Sequence, residues 1–246
     1  MGESKRIGSV SFLFRFVLGF TWLSLWSTLC LSLMIIALPF RTLRIRIGNF
    51  CGKIVGPFIT RIMGTRLINP DIKKLNDSPP AIFVTNHTSA LDIFICMAIC
   101  PYGGCGIGKK EIVKIPFFGW AYWLSGHLLI DRGNREKAVK SMDKLTKFVN
   151  DKGLSVWIWP EGTRSMDGKL IPFKKGFVHL ALATRLPIVP VILHGAHERW
   201  PAKTMRFYPG EVRVEVLDSI ETDDWNKETI DEHIETVRNV MASALS

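Results

Sequence analysis

Short apolar runs alternate with helical patterns through the second half of the chain, and this alternation is the strongest constraint on the fold. Apolar, β-rich runs fall at 81–85, 104–108, 127–130, 154–159 and 188–193. Continuous apolar strands separated by helices are typical of a parallel sheet covered on both faces. The sequence therefore predicts an α/β fold, an αβα sandwich with a mostly parallel central sheet.

Apolar periodicity predicts the helices of this fold. Residues 135–150 carry apolar side chains on one helical face, and a glycine follows as a stop. A second helix is predicted from about 176 to 184, and an amphipathic helix is predicted to close the chain from about Lys227. The run 211–217 alternates valine with charged residues, which indicates a half-exposed edge strand.

Positive charge is concentrated in the N-terminal part of the chain. Residues 1–75 hold eleven lysines and arginines and two acidic residues, a balance of +9 out of a net +10, which leaves +1 for the remainder. A basic segment beside a neutral one indicates contact with an anionic surface. Residues 16–40 form a run of 25 without a formal charge, long enough to cross a bilayer core. Basic residues flank this run on both sides, so a span and a hairpin that returns to one face both stay open.

The domain organisation follows from this contrast. We expect an N-terminal basic and apolar membrane-anchoring helical segment at 1–75 and an α/β domain at 76–246. Residues 45–68 are basic and partly amphipathic, so they are expected to lie in the lipid interface. The stretch 69–80, with its prolines and asparagines, is predicted as a linker. Since the basic residues are interleaved with long apolar runs, nucleic acid is not an expected partner.

The segment Asn86-His87-Thr88-Ser89-Ala90-Leu91-Asp92 directly follows the apolar run 81–85. Histidine is the side chain best suited to take a proton near neutral pH, and a carboxylate on its other ring nitrogen would fix the tautomer. Five residues apart on one helix, the two side chains would point about 140° apart and could not touch. We therefore expect His87 in the turn before a helix and Asp92 in its first turn. In the alternative, Ser89 and Asp92 form a capping box and Asp92 merely caps the helix.

Two further polar clusters begin where an apolar run ends, namely Asp131-Arg132 and Glu161-Gly162-Thr163-Arg164-Ser165. Ligands of open α/β sheets bind at the carboxyl ends of the strands, so these loops are expected to converge on one rim. Gly162 would let the backbone approach a ligand closely, and Arg164 offers a planar fork suited to phosphate. The alternative is an ordinary polar loop in which Glu161 pairs with Arg164.

Three other features leave more than one interpretation. Lys109-Lys110 could supply a second phosphate contact or form a solvated turn, and the apolar segment 115–120 could pack the core or line a hydrophobic tunnel. The five cysteines are odd in number and contain no C-x-x-C motif, which favours buried, reduced thiols in a cytosol-facing protein. No second histidine, cysteine or acidic residue lies near His87 at the spacing of metal ligands, so a metal site is not expected.

Four blocks taken together resemble the glycerolipid acyltransferase family, most closely the 1-acylglycerol-3-phosphate acyltransferases of the bacterial type. The blocks, in the family's order, are Asn86-His87-x4-Asp92, Gly126-His127-Leu128-Leu129-Ile130-Asp131-Arg132, Pro160-Glu161-Gly162-Thr163-Arg164-Ser165 and Ile188-Val189-Pro190-Val191. The resemblance covers about residues 80–195. Two positions depart from it, since Trp159 stands where family members often carry phenylalanine and His127 is an unusual occupant of its block.

The resemblance implies that an acyl chain passes from acyl-CoA or acyl carrier protein to the sn-2 hydroxyl of lysophosphatidic acid, giving phosphatidic acid without a cofactor. It implies His87 as the general base and Asp92 as the residue that orients it. It further implies a substrate phosphate site at Lys109, Glu161, Gly162, Thr163 and Arg164, in which Arg164 and Lys109 hold the phosphate and Glu161 helps to position the cluster. Arg132 is an additional contact to the phosphate or to CoA, and Asn86 is an additional site candidate.

Two other functions stay open at this point. The same chemistry could act on another acceptor, such as glycerol 3-phosphate, another lysophospholipid or a lyso-aminolipid. The chain could also be a non-catalytic protein that binds anionic lipid. In each case we expect it at the plasma or inner membrane, with its site on the cytoplasmic face.

Overall fold

The computed structural model describes residues 6–68, 72–131, 133 and 135–246. The helices, in chain order, are α1 (Ser9–Ile36), α2 (Arg41–Ile62), α3 (Ile72–Asp77), α4 (Leu91–Ile99), α5 (Phe118–Leu124), α6 (Arg135–Lys152), α7 (Gly176–Thr184), α8 (Ala196–Arg199) and α9 (Ile230–Leu245). The strands are β1 (Thr65–Ile68), β2 (Ile82–Thr85), β3 (Gly104–Lys109), β4 (Leu128–Ile130), β5 (Ser155–Ile158), β6 (Ile188–His194) and β7 (Gly210–Val216). A 3₁₀ helix over Lys110–Lys114 follows β3.

The strands form one sheet in the order β1-β7-β6-β2-β5-β3-β4. Every neighbouring pair is parallel except β6 and β7, which run antiparallel. The mostly parallel sheet is therefore confirmed. The prediction that residues 211–217 form an edge strand is wrong, because β7 lies inside the sheet, between β6 and β1. Its alternating burial is as predicted, since one of its faces is covered and the other is largely exposed.

Apolar cores lie on both faces of the sheet, as the predicted sandwich requires. One core joins strand residues such as Phe83 and Trp157 to α1, α2 and α4. The other joins Ile82 and Val156 to α6, α7 and α9. Since successive side chains of a strand point to opposite faces, the unbroken apolar runs found in the sequence supply both cores at once.

The N-terminal helices α1 and α2 pack against each other in antiparallel orientation. Gly19, in the first half of α1, lies against Ile59 near the end of α2, and Met34, near the end of α1, lies against Gly48 in the first half of α2. Within the described part of the chain, α1 is the one helix long and apolar enough to cross a membrane. It keeps a large apolar surface exposed. The exposed large apolar side chains of α1 are Val10, Leu13, Phe14, Phe16, Val17, Leu18, Phe20, Leu25, Leu29, Leu33, Ile35 and Ile36.

The second helix departs from the expectation that residues 45–68 lie in the lipid interface. Much of its apolar face is buried in the protein, including Val55 and Ile59. Gly52 and Gly56 let α2 approach α4 closely, and a Cβ atom at Gly56 would lie 2.4 Å from the carbonyl oxygen of Phe94. The pattern of apolar residues alone cannot distinguish lipid from another helix as the apolar partner.

The sheet also starts earlier than the predicted boundary at residue 76. The strand β1 lies within the segment assigned to the membrane anchor, and it pairs with β7 at one edge of the sheet. It has four residues, which is too short for a periodic signal. The predicted linker likewise contains the short helix α3.

Candidate active site

His87 lies in the loop between β2 and α4, and Asp92 lies in the first turn of α4, as the sequence predicts. The Nδ1 atom of His87 lies 2.8 Å from Oδ2 of Asp92. The Asp92 side chain is fully buried, whereas 13% of the His87 side chain is exposed. A buried carboxylate thus holds one ring nitrogen of an imidazole that is open to the surface through its other side.

Asp92 also fixes the backbone at the start of α4. Its Oδ2 atom accepts hydrogen bonds from the backbone N–H groups of Thr88 at 2.7 Å and Ser89 at 2.8 Å. The capping role that stood as the alternative is therefore present together with the contact to the imidazole. Because Oδ2 is an acceptor, the proton of neutral His87 sits on Nδ1. Its Nε2 atom is then the acceptor that remains for a substrate proton.

The backbone of His87 is held from both sides by the loop that follows β5. Its N–H donates to Oε1 of Glu161 at 2.6 Å, and its carbonyl accepts from the backbone N–H of Ser165 at 2.8 Å. The other carboxylate oxygen of Glu161 accepts from the N–H of Ile171 at 3.3 Å. The loops after β2 and β5 therefore converge at the carboxyl edge of the sheet, as expected for neighbouring parallel strands.

Glu161 is almost completely buried, and burial raises its pKa to about 7, although the two amide hydrogen bonds act in the opposite direction. This carboxyl points at backbone amides and forms no ion pair with Arg164 among the residues described. The alternative in which Glu161 pairs with Arg164 is therefore wrong. Both of its oxygens hold the loops together.

The remaining members of the predicted phosphate site lie in the same loop or on the same edge. Gly162 has a φ of +71°, a conformation that favours glycine. Thr163 is exposed and Arg164 is partly exposed, with no ion pair to any described residue. Lys109 ends β3, two strands from β2, which places it about 10 Å across the sheet from the His87 loop.

The two additional candidates have different outcomes. The Asn86 side chain is buried, donates to the carbonyl of Leu193 at 3.1 Å and accepts from the N–H of Leu193 at 2.9 Å. Through these two hydrogen bonds it ties the His87 loop to β6. Arg132 lies outside the described residues.

An apolar cavity of about 110 Å³ lies beside this site. It is lined by residues of α1, α2, α4 and α5 on one side and by residues of β3 and β5 on the other. Trp159 lines the cavity and stacks on His87, with ring centroids 4.8 Å apart. Phe118 lines it too, so the apolar segment 115–120 contributes to a hydrophobic pocket, one of the two roles left open by the sequence.

A family model described as Acyltransferase matches residues 68–194. The chain belongs to this acyltransferase family. The matched range contains the His87–Asp92 pair and the loop from Glu161 to Arg164.

Relatives of this acyltransferase include plant and bacterial enzymes. It is 41% identical over 212 residues to the 1-acyl-sn-glycerol-3-phosphate acyltransferase of Limnanthes douglasii, covering 85% of this chain and 73% of that protein. It is 35% identical over 166 residues to the Escherichia coli enzyme of the same name, covering 68% and 67%. The crystal structure of the LPA acyltransferase PlsC from Thermotoga maritima has the same fold, with a TM-score of 0.76 at 22% identity over 96% of this chain and 93% of that one.

Some residues of the acyltransferase site were not found from the sequence. The side chain of Lys174 lies against Gly162, yet nothing in the spacing of Lys174 points to the His87 loop. In the sequence, Trp159 stands out only as a departure from the family pattern. The glycines of α2 are spaced four residues apart (Gly48, Gly52 and Gly56), and this spacing could have predicted the close helix contact beside the cavity.

Proposed function

We propose that this acyltransferase moves an acyl chain from an acyl thioester to the sn-2 hydroxyl of 1-acylglycerol 3-phosphate, giving phosphatidic acid. The observation that carries the proposal is the His87–Asp92 pair, placed between an apolar cavity and a loop with an unpaired arginine. The names of the relatives from Limnanthes and Escherichia coli support this acceptor.

In the proposed reaction, Nε2 of His87 takes the proton of the acceptor hydroxyl while the hydroxyl oxygen attacks the thioester carbonyl carbon. The carbon–sulfur bond then breaks, and the thiolate leaves with the proton that His87 returns. Asp92 keeps the imidazole in the required tautomer and stabilises its positive charge. General-base help of this kind contributes roughly 10²–10⁴-fold. A thioester is already activated, so the step requires neither a metal ion nor a covalent acyl-enzyme.

The acceptor phosphate is assigned to the loop after β5. Arg164 has no ion pair with another described residue, so its guanidinium can bind a phosphate with two parallel hydrogen bonds. The loop bonds directly to the His87 backbone through Ser165. A phosphate held by Arg164 would therefore be fixed relative to the base, which is the condition for rate enhancement by proximity. Lys109 and Lys174 are two further cations at the same edge of the sheet that could bind the phosphate.

The acyl chain of the thioester is assigned to the cavity, because its walls are apolar and Trp159 joins it to the base. We further propose that α1 brings the enzyme to a membrane, where the lysolipid acceptor and the phosphatidic acid product reside. A large, continuous apolar surface that is exposed on a protein marks a contact with a membrane or with another protein. The exposed side chains of Trp120 and Trp123 on α5 extend the same apolar surface, and tryptophan is enriched where membrane meets water.

The direct test uses purified enzyme, labelled acyl-CoA or acyl carrier protein, and a panel of acceptors. The panel contains 1-acylglycerol 3-phosphate, glycerol 3-phosphate and 1-acylglycerophosphocholine. We expect label in phosphatidic acid and a kcat/KM at least ten times higher for 1-acylglycerol 3-phosphate than for the others. Preferred turnover of glycerol 3-phosphate or the choline lysolipid would replace the proposed acceptor and leave the chemistry in place.

A further inference from the structure

The segment 200–208, which follows α8 and leads to β7, lies at the same edge of the sheet as the His87 turn. Since β6 runs parallel to β2 and β7 runs antiparallel to β6, the connection between β6 and β7 lies at the carboxyl edge. The hydroxyl of Ser89, two residues beyond His87, donates to the carbonyl of Trp200 at 2.7 Å. Ser89 and Pro201 also form an isolated antiparallel bridge. One end of the segment is therefore attached directly to the turn that carries the base.

The other end of the segment is attached to the start of α1. The carbonyl of Phe207 accepts a hydrogen bond from the backbone N–H of Ile7 at 2.9 Å, and its ring stacks on Phe12 with the centroids 5.1 Å apart. Phe207 is buried, and Trp200 packs on it with the centroids 4.1 Å apart. Because these rings pack against one another, the segment joins the start of α1 and the His87 turn into one packed unit.

The outer side of the segment is basic. Residues 200–208 contain Lys203 and Arg206 and no acidic residue. Both of these side chains are exposed, and neither forms an ion pair with a described residue. Arg6 is exposed as well, and it directly precedes the residue whose N–H bonds to the end of the segment. Three positive charges therefore lie on one surface beside the start of α1.

This basic surface is continuous with the exposed apolar surface of α1. Val10 and Leu13, at the start of α1, are 85% and 60% exposed, and Met205 in the segment is 55% exposed. Cations beside exposed apolar side chains match the interface of a bilayer, where phosphate groups lie above acyl chains. A free phosphate ion would contact the cations and leave the apolar side chains in water. The combination therefore favours a lipid surface as the partner.

The backbone at Lys203 supports a role for its charge. Lys203 has a φ of +57°, a left-handed conformation that a lysine rarely adopts. A glycine would fit this turn with less strain. Backbone geometry therefore gives no reason for a lysine at this position, whereas a contact with anionic headgroups does.

We propose that the segment 200–208 is a second membrane contact, which binds anionic phospholipid headgroups through Lys203 and Arg206 while α1 enters the apolar layer. The inference rests on the proposed function, since it takes α1 to lie in a membrane. A single helix in the interface can roll about its long axis. A second contact, joined to the His87 turn, prevents this rotation and holds the rim of the site against the lipid surface, where an embedded acceptor reaches the base.

Vesicle flotation measures the headgroup contact. The vesicles contain phosphatidylcholine alone or a mixture with phosphatidylglycerol. A basic residue near an anionic surface strengthens binding by roughly five-fold, so the double variant Lys203→Gln/Arg206→Gln should bind the mixed vesicles about twenty-fold more weakly and the phosphatidylcholine vesicles as the wild type does. Lys144→Gln/Lys147→Gln removes two exposed cations of α6, on the other face of the sheet from α1. This matched control should bind like the wild type, and thermal unfolding checks the fold of both variants.

A fluorescent label at residue 205 reports the contact directly. The native cysteines in the described part of the chain are buried, so a thiol-reactive fluorophore on Met205→Cys labels the exposed position selectively. We expect vesicles with phosphatidylglycerol to protect this label from quenching by iodide in the water. The same label on Lys147→Cys should remain quenchable, because α6 faces away from the membrane.

Turnover separates orientation from catalysis. The acceptors are a long-chain lysophosphatidic acid embedded in mixed vesicles and the water-soluble 1-hexanoylglycerol 3-phosphate. In Lys203→Gln/Arg206→Gln we expect kcat/KM to fall about ten-fold for the embedded acceptor, following the loss of the two contacts, and to stay unchanged for the soluble one.

Three results would overturn the inference. The first is equal binding of the double variant and the wild type to mixed vesicles, and the second is full quenching of the label at residue 205 on those vesicles. The third is protection of this label by acyl carrier protein and not by vesicles, which would assign the surface to the donor. Flotation and quenching need no turnover, so absence of turnover with every acceptor would remove the proposed function and leave the membrane contact to be judged by these two measurements.

Discussion

The indole of Trp159 stacks on the imidazole of His87, with the ring centroids 4.8 Å apart and the planes inclined by 25°. One face of the base is therefore covered by a cavity-lining side chain. The stack restricts rotation of the imidazole without consuming either of its nitrogens. It also joins the position of the acyl chain to the position of the base.

The stack predicts a graded response to substitution at Trp159. Trp159→Ala removes the covering ring, and we expect kcat to fall about ten-fold, as when a reacting group is misplaced by a fraction of an ångström. Trp159→Phe keeps an aromatic face and should retain most of the activity. Steady-state kinetics with one donor and one acceptor check this. Equal kcat values for the alanine variant and the wild type would show that the stack does not position His87.

Removal of the base should abolish rapid turnover without releasing the protein from membranes. His87→Ala is expected to lower kcat by roughly 10²–10⁴-fold. Asp92→Asn should lower kcat as well, because an amide can present its N–H to the ring and favour the wrong tautomer. Product formation and vesicle flotation are measured on the same preparations. Retained activity in His87→Ala would exclude this imidazole as the base.

Arg164→Ala tests the phosphate site. We expect the KM for the acceptor to rise about ten-fold or more, the effect of losing hydrogen bonds to a charged group, with a smaller change in the KM for the thioester. Lys227→Ala, which removes an exposed cation elsewhere on the chain, is the matched control and should leave both constants unchanged. Equal increases for acceptor and donor in Arg164→Ala would argue against a phosphate contact.

The buried carboxyl of Glu161 predicts a pH dependence of stability. Folding raises its pKa from 4.5 to about 7, so the folded state binds the proton more tightly than the unfolded state does. Its contribution to the free energy of unfolding is therefore greatest below pH 4.5 and is lost as the pH rises to about 7. In Glu161→Gln this contribution should be absent. Chemical denaturation of both proteins across this interval measures the difference, and parallel curves would contradict the raised pKa.

The close contact between α2 and α4 predicts a large effect of one methyl group. In Gly56→Ala the new Cβ atom would lie 2.4 Å from a backbone oxygen of α4, so the helices must separate. Overpacking of this kind costs about 1–3 kcal/mol. Gly176→Ala, where nothing lies within 4 Å of the added Cβ, is the control and should be as stable as the wild type or slightly more stable. Denaturant unfolding distinguishes the two, and identical midpoints would mean that α2 shifts freely.

Local patterns predicted most of the fold. The parallel strands and the helices α6, α7 and α9 follow from runs of apolar residues whose periodicity lies within one element. The position of β7 inside the sheet did not follow, because it depends on β1, a four-residue strand far away in the sequence. Half-burial of β7 is a local property, whereas its neighbours are set by chain connectivity.

The candidate site was predictable to the same extent. Contact between His87 and Asp92 followed from their spacing and from helix geometry. The direction of the Glu161 carboxyl did not, because a carboxylate beside an arginine reads as an ion pair until the buried amides of His87 and Ile171 are seen to claim both oxygens. Stacking of Trp159 on His87 joins two loops that lie 72 residues apart and left no mark in the sequence beyond the residue type.

A single oxygen atom of Asp92 receives the imidazole and two amides of the preceding turn. The bonds that allow α4 to begin are thus the bonds that aim the imidazole. The enzyme is consequently preorganised: folding itself completes the arrangement, and neither substrate has to spend binding energy on assembling it.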